Sequence, residues 1–346
     1  MHPSSQHVLT IEAPRRARPV ARELASPGPG DVVVRSLYST FKHGTEMMAY
    51  LGRTPFASRV FNSTLRLFET APPQTSFYPR PMGSMVVGMV DWAGENAGGL
   101  QPGERVFAWA PIADVHVLPA ANVTRLGKLT PEQALCIDPA SFALGGVLDG
   151  AIAKNETVLV TGLGAIGLFV IQYCVARGAR VVAASSFAQR RQLAQSFGAS
   201  EVYDTRMESD LARTIKQRIG GVDAAIECSG SLQTLTMAMR AARQCGRIVC
   251  VGFYGAGTLN LGEEFFHNRL TLMASLPALT WNNPVRETPP LYAKDLQEMV
   301  ARDFAAGTIT PGAVLSPTLS FRDAEHAVTL IADEPQRVIK VLLRHD

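Results

Sequence analysis

The run Gly162-Leu163-Gly164-Ala165-Ile166-Gly167 spaces three glycines as a chain must when it turns tightly and then lets an anion approach its backbone. It stands between a continuous apolar stretch, Thr157 to Thr161, and a helical pattern through Leu168, Ile171 and Val175. In that setting the first glycine permits the turn, the second leaves room for a pyrophosphate, and the third lets helix and strand pack closely. Unpaired amides at the helix start then meet the phosphate charge. The chemistry this predicts is that of a bound dinucleotide; the plainer alternative is a set of glycines that serves only the turn.

The choice between dinucleotides is read where the second strand ends. Ala184, Ser185 and Ser186 are followed by Arg190 and Arg191, with no Asp or Glu among them. An acid there would bind an unmodified ribose and repel a 2′-phosphate, whereas hydroxyls can hydrogen-bond that phosphate and an arginine can neutralise it. Ser185, Ser186 and Arg190 therefore predict NADP(H). The competing view makes both arginines the solvated side of a helix and lets NAD be tolerated.

The elements that must carry these residues follow from periodicity. After Thr157 to Thr161 the pattern alternates: strand Val181 to Ala184, helix Gln189 to Phe197, strand Glu201 to Tyr203, a helical face of Leu211, Ile215 and Ile219, and strand Asp223 to Glu227. A helix through Leu232, Leu235 and Met239 and a strand Arg247 to Val251 complete the series. Strands apolar on both faces and joined by helices require a parallel sheet covered on two sides, doubly wound by right-handed crossovers. The N-terminal stretch instead reads as short strands, Val8 to Ile11, Val32 to Val34, Arg105 to Phe107 and Val115 to Leu118, divided by turns at Ser26-Pro27-Gly28-Pro29-Gly30 and Gln101-Pro102-Gly103-Glu104. Between residues 53 and 81 lie Pro55, Pro72, Pro73, Pro79 and Pro81 with Phe56, Phe61, Phe68, Phe77 and Tyr78, which predicts a packed, irregular wall or a substrate contact rather than a linker. Near the C-terminus a strand Leu270 to Ala274, helices Ala293 to Ala306 and Ala324 to Ile331, and a strand Val338 to Leu343 are expected. The last strand needs a sheet edge, and the N-terminal β module can supply one.

Composition bounds what such a chain does. Its 346 residues suffice for two domains, and 47% hydrophobic with 18% charged residues describes an ordered globular protein. A net charge of +3 gives no footing for nucleic acid, and Arg15, Arg16 and Arg18 are expected on the surface. Cys136, Cys174, Cys228, Cys245 and Cys250 show no CxxC spacing, so buried free thiols are expected rather than a zinc ribbon or disulfide framework. The first residues hold no long apolar run, so a cytoplasmic protein without a membrane span is expected.

With these residues in hand, the whole chain from about residue 8 resembles the medium-chain dehydrogenase/reductase family. The resemblance rests on the order of elements, on Pro102-Gly103-Glu104-Arg105-Val106, on Gly162 to Gly167 and on Glu227-Cys228-Ser229-Gly230. It implies an α/β fold in which a Rossmann doubly wound sheet, residues 146–285, is inserted in a GroES-like β-rich catalytic domain made of residues 1–145 and 286–346. It implies an active-site cleft between the domains, a homodimer or homotetramer, and cofactor contacts at Cys228, Ser229, Val251 and Gly252.

Zinc-dependent members of that family carry Cys-Gly-(Ser/Thr)-Asp and Gly-His-Glu, where this chain has His43-Gly44-Thr45-Glu46 and Gly83-Ser84-Met85. The third ligand position, an acid or cysteine before proline, matches Asp138-Pro139, and the four-cysteine structural-zinc lobe is missing. A serine is a poor replacement for imidazole, so no metal is expected. If the resemblance holds, His43 and Asp138 approach one another, and an imidazole oriented by a carboxylate can give a proton to a carbonyl oxygen or take it back. Thr45 would bond the reacting oxygen or a ribose, Glu46 would orient His43, relay a proton or hold a substrate hydroxyl, and Ser84 would contact substrate. The plain alternatives are that His43 links loops or keeps a residual metal site, that Asp138 caps the next helix, and that His267 only packs.

The reading is a zinc-independent, NADP(H)-dependent oxidoreductase acting on a small-molecule carbonyl or alcohol. An enoyl or quinone reductase acting on an activated C=C is the nearest alternative, and a catalytically inactive nucleotide-binding sensor or structural protein the next. Gly44-Thr45-Glu46 also echoes the bacteriochlorophyllide dehydrogenase-like branch, too briefly to assign a tetrapyrrole substrate.

Overall fold

The structure is a computed structural model that describes residues 3–72, 74, 76–277 and 283–346; Pro73 of the proline-rich segment lies outside the described residues. Its contacts divide the chain into two compact units, Met1–Leu135 with Leu315–Asp346, and Cys136–Val314.

The first unit is largely β, as its short alternating segments predict. Along the chain it contains β1 (Ser5–Ala13), β2 (Arg16–Glu23), β3 (Asp31–Thr40), α1 (Thr45–Tyr50), β4 (Arg59–Asn62), β5 (Leu67–Thr70), β6 (Arg80–Pro81), β7 (Met85–Ala93), β8 (Arg105–Ala108), β9 (Val115–Pro119) and β10 (Val123–Arg125). The β-branched run Val32-Val33-Val34 is buried and puts β3 at the centre of a sheet ordered β10-β8-β7-β3, with β9 also pairing β3.

After the second unit the chain returns through β17 (Leu315–Ser320), α9 (Ala324–Asp333) and β18 (Lys340–Arg344). The apolar β18 lies antiparallel beside β3, with Leu342 opposite Thr40 and Leu343 opposite Ser39, so the last strand finds its edge in the N-terminal module. Strands β2 and β7 were not legible as strands. In β2 the arginines alternate outward around a buried Ala17, and Arg15, Arg16 and Arg18 pair on the surface with Asp333 and Glu12.

The segment 53–81 is two things rather than one wall. β4 and β5 form a hairpin that leaves Val60, Leu67 and Phe68 exposed, whereas Phe77 and Tyr78 pack on the core of Leu9, Phe41 and Tyr50.

The second unit begins within α2 (Pro131–Asp149) and runs β11 (Thr157–Thr161), α3 (Ala165–Ala176), β12 (Arg180–Ala184), α4 (Ala188–Ser196), β13 (Glu201–Tyr203), α5 (Leu211–Ile219), β14 (Val222–Glu227), α6 (Leu232–Ala241), β15 (Ala242–Cys250), α7 (Glu264–His267), β16 (Thr271–Ala274) and α8 (Ala293–Ala306). Its six strands are all parallel, ordered β13-β12-β11-β14-β15-β16, so the order reverses between β11 and β14. Leu159, Val182, Ala225 and Ile248 are fully buried in it or nearly so.

Residues 293–314 pack with this unit, although the sequence boundary was drawn at 285. Phe304 meets Phe169 edge to face at 5.8 Å, and Gln172 bonds both main-chain groups of Thr310. Among the described residues no helix is long and apolar enough to cross a membrane. Cys136 and Cys174 are buried as expected, but Cys245 is exposed, at a β15 position with φ +58°.

Candidate functional site

In the second unit the glycine run makes the turn its spacing predicts. Gly162 has φ +76°, and a Cβ on it would overlap the main chain of Ser229, so only glycine fits. A Cβ on Gly167 would overlap the carbonyl of Gly162, which is the close helix-to-strand packing expected of the third glycine. Around Gly164, by contrast, an added Cβ meets nothing within 4 Å. Leu163 is buried under the turn, and α3 starts at Ala165, with Ile166 and Gly167 in its first turn and no side chain capping it. Uncapped amides beside open space fit a phosphate group.

At the end of β12, Ser185 is buried and its hydroxyl accepts the N–H of Phe187 at 3.2 Å, while Ser186 is half-buried. The two arginines differ. Arg191 donates to the Ser185 carbonyl at 2.8 Å and pairs with Asp204 at 2.9 Å. Arg190 lies over the Phe187 ring, 4.6 Å from its centroid, and burial pulls its pKa down. Cys228 and Ser229 follow β14, and Val251 and Gly252 follow β15, at the same end of the sheet as the glycine turn.

In the first unit the loop from Phe41 to Glu46 collects His43, Thr45 and Glu46. His43 is half-buried, and its Nε2 accepts the N–H of Val341 at 3.0 Å, so the proton of the neutral ring is assigned to Nδ1 from this partner. Phe41 meets the ring edge-on at 6.4 Å. Thr45 is exposed at the start of α1.

The Glu46 carboxylate turns back into the protein, one oxygen accepting the N–H of Lys42 at 2.8 Å and the other that of Gly83 at 2.7 Å. Desolvation raises its pKa, against the two amides and the charges of Lys42 and Lys340. Gly83 leads to Ser84, whose buried hydroxyl has no hydrogen-bond partner.

Asp138 is buried inside α2, in the second unit, and does not cap a helix as one expectation had it. His267 packs against Phe266 with ring centroids 5.6 Å apart. Among the described residues no group of three or more His, Cys, Asp or Glu side chains is placed to hold a metal ion.

Sequence reasoning missed Lys340. It is buried, and its ammonium donates to the Phe41 carbonyl at 2.6 Å, fixing the loop that carries His43. A lone lysine in the apolar run Val338 to Leu343 was the available signal.

Comparison with known proteins agrees with this geometry. Residues 165–286 match the family described as zinc-binding dehydrogenase. D-guloside 3-dehydrogenase of Escherichia coli K12 is 28% identical over 96% of this chain and 98% of its own. The fold is shared with a candidate zinc-binding dehydrogenase of Sinorhizobium meliloti 1021 solved with NADP, at TM-score 0.76 and 20% identity over 99% of this chain and 100% of that one. It is equally shared with an alcohol dehydrogenase of Escherichia coli CFT073 solved with NADH, at TM-score 0.76 and 21% identity over 99% and 100% of the two chains.

Proposed function

We infer that the chain is an oxidoreductase of the zinc-binding dehydrogenase family, and on that premise we propose that it moves a hydride between NADP(H) and an alcohol or carbonyl carbon without a catalytic zinc ion. The substrate class favoured is a sugar or polyol, since a relative matched along almost its whole length is a D-guloside 3-dehydrogenase.

Support for the cofactor comes from the open, uncapped helix start at Gly164 and from the strand end at Ser185, where the segment Ala184 to Arg191 carries hydroxyls and arginines in place of an acid. The glycine turn and α3 would hold the pyrophosphate, with Ser185, Ser186 and Arg190 on the 2′-phosphate and Cys228, Ser229, Val251 and Gly252 beside the nicotinamide half. When bound, the cofactor supplies or accepts the hydride. Arg191 pairs with Asp204, and Arg190 is the arginine assigned to the phosphate.

The observation that carries the zinc-free reading is the state of the ligand positions. Of the three ligand positions, Asp138 keeps a carboxylate, but His43 has its Nε2 lone pair committed to the Val341 amide and Ser84 offers only a neutral hydroxyl. Such a set does not fit a tetrahedral zinc centre. The charge that builds on the substrate oxygen then needs a proton, and His43 carries one on Nδ1. Thr45 and Ser84 are the hydroxyls assigned to the substrate oxygen, Asp138 is kept as a candidate catalytic carboxylate, and Glu46 is the clamp that holds the two loops together.

A titration of the protein with reduced cofactors tests the nucleotide part. NADPH is expected to bind at least about tenfold more tightly than NADH, as one charge-assisted contact requires; equal affinities contradict it.

A further inference from the structure

The turns that follow β11, β14 and β15 meet backbone to backbone. A Cβ on Gly162 would overlap the main chain of Cys228 and Ser229, one on Gly230 would overlap the Phe253 carbonyl, and one on Gly252 would overlap the Gly230 amide. Turns packed this closely have no room for side chains between them. A single carboxylate stitches two of them instead.

Glu227 ends β14, fully buried, in register with Thr161 on one side and Cys250 on the other. One carboxylate oxygen accepts the N–H of Ser229 at 2.7 Å and the Ser229 hydroxyl. The other accepts the N–H of Gly230 at 3.0 Å and the Tyr254 hydroxyl. The main-chain carbonyl of the same residue takes the amides of Val251, at 2.9 Å, and Gly252, at 3.0 Å. Burial, together with the Glu227 carboxylate, pushes the Tyr254 phenol far up, so it keeps its proton and stays a donor.

We propose that Glu227 and Tyr254 are positioning residues of the dinucleotide site, holding the 228–231 and 251–254 turns at the spacing their main-chain groups need to receive the nicotinamide half of the cofactor. This rests on reading Gly162 to Gly167 as a nucleotide turn. The sheet order reverses between β11 and β14, and a dinucleotide lies across such a reversal, with its adenosine half over β12 and its other half over β14 and β15. Neither side chain touches the adenosine half's own residues, Ser185, Ser186 and Arg190, in any of these bonds.

That division supplies the test. Tyr254→Phe keeps the ring and removes one donor from a buried carboxylate, which displaces the turns it held. Calorimetric titration of the full-length variant with NADPH is expected to show a Kd raised about tenfold. The same variant titrated with 2′,5′-ADP, which carries only the adenosine half, is expected to bind within about twofold of the unaltered protein. Glu227→Gln, whose amide nitrogen cannot accept, is expected to give the same split more strongly. A general loosening of the domain would weaken both ligands alike, and a role in folding alone would lower Tm and leave both Kd values unchanged; either result overturns the proposal. If the unaltered protein binds neither NADPH nor NADH, the nucleotide reading fails and takes this inference with it.

Discussion

His43 is the residue on which the proposed chemistry turns. With Nε2 held by the Val341 amide, its one transferable proton is on Nδ1, and losing that proton carrier removes general acid–base assistance without touching the glycine turn. His43→Ala is expected to lower kcat by about 10²- to 10⁴-fold while the NADPH Kd stays within about twofold. Steady-state rates and a cofactor titration check both halves, and unchanged turnover would remove His43 from the role. Arg190 is the corresponding residue for the proposed selectivity: Arg190→Ala is expected to bring the NADPH and NADH affinities to within about threefold of each other, whereas Arg191→Ala, which leaves Asp204 with Arg206 alone and removes a bond to the Ser185 carbonyl, is expected to cost stability first.

Sequence alone could name His43, Glu46 and Ser84 because their types are unusual for the positions they occupy. It could not aim them. The direction of the Glu46 carboxylate is decided by the Gly83 amide, a partner 37 residues away. Lys340 likewise gained its place from the Phe41 carbonyl, 299 residues distant.

At the scale of elements, β18 is secured near both ends. Val341 and Lys340 fasten it to the His43 loop, and just past its other end His345 bonds Ser39 through Nε2 at 2.8 Å and stacks on Phe321. His345 and the buried His116 of β9 are both held down to a pKa of about 4, chiefly by burial. Around them stand Asp114, itself paired with His7, and Asp346, paired with Arg344.

Because both folded values lie below the ordinary 6.5, the neutral rings favour the folded state. Their contribution is complete above pH 6.5 and is lost as pH falls toward about 4. The loss is on the order of 3 kcal/mol per imidazole at most. Melting temperatures measured across that window are expected to fall steeply for the unaltered protein and less steeply for His116→Gln. Parallel curves would show that His116 does not titrate with unfolding.

The alternating β/α half was legible because its central strands β11, β12 and β14 carry short buried runs between amphipathic or apolar helices. The helix α2 was not, since Pro139 interrupts it and its apolar residues run all round rather than along one face. Strand β7 hid for a related reason: it is buried on both faces and has Gly88 at its middle, where a Cβ would overlap the Arg35 carbonyl.

For the whole molecule, the split arrangement follows from one demand, that a terminal apolar strand find a sheet edge, and β18 finds it at β3. The outer limits of the nucleotide unit were less visible, because α8 is fixed to it by Phe304, Asp303 and the Thr310 backbone rather than by anything the periodicity displays. A homodimer or homotetramer is the assembly expected of this reading, and light scattering checks it.

The central claim joins a nicotinamide cofactor to a site that works without zinc. Its most direct test is one preparation assayed twice: zinc content by elemental analysis, and NADP⁺ reduction at 340 nm across a panel of sugar and polyol alcohols before and after dialysis against a chelator. The expected result is far less than one zinc per chain with turnover unchanged by the chelator. Stoichiometric zinc, or activity that the chelator abolishes and added zinc restores, would contradict it.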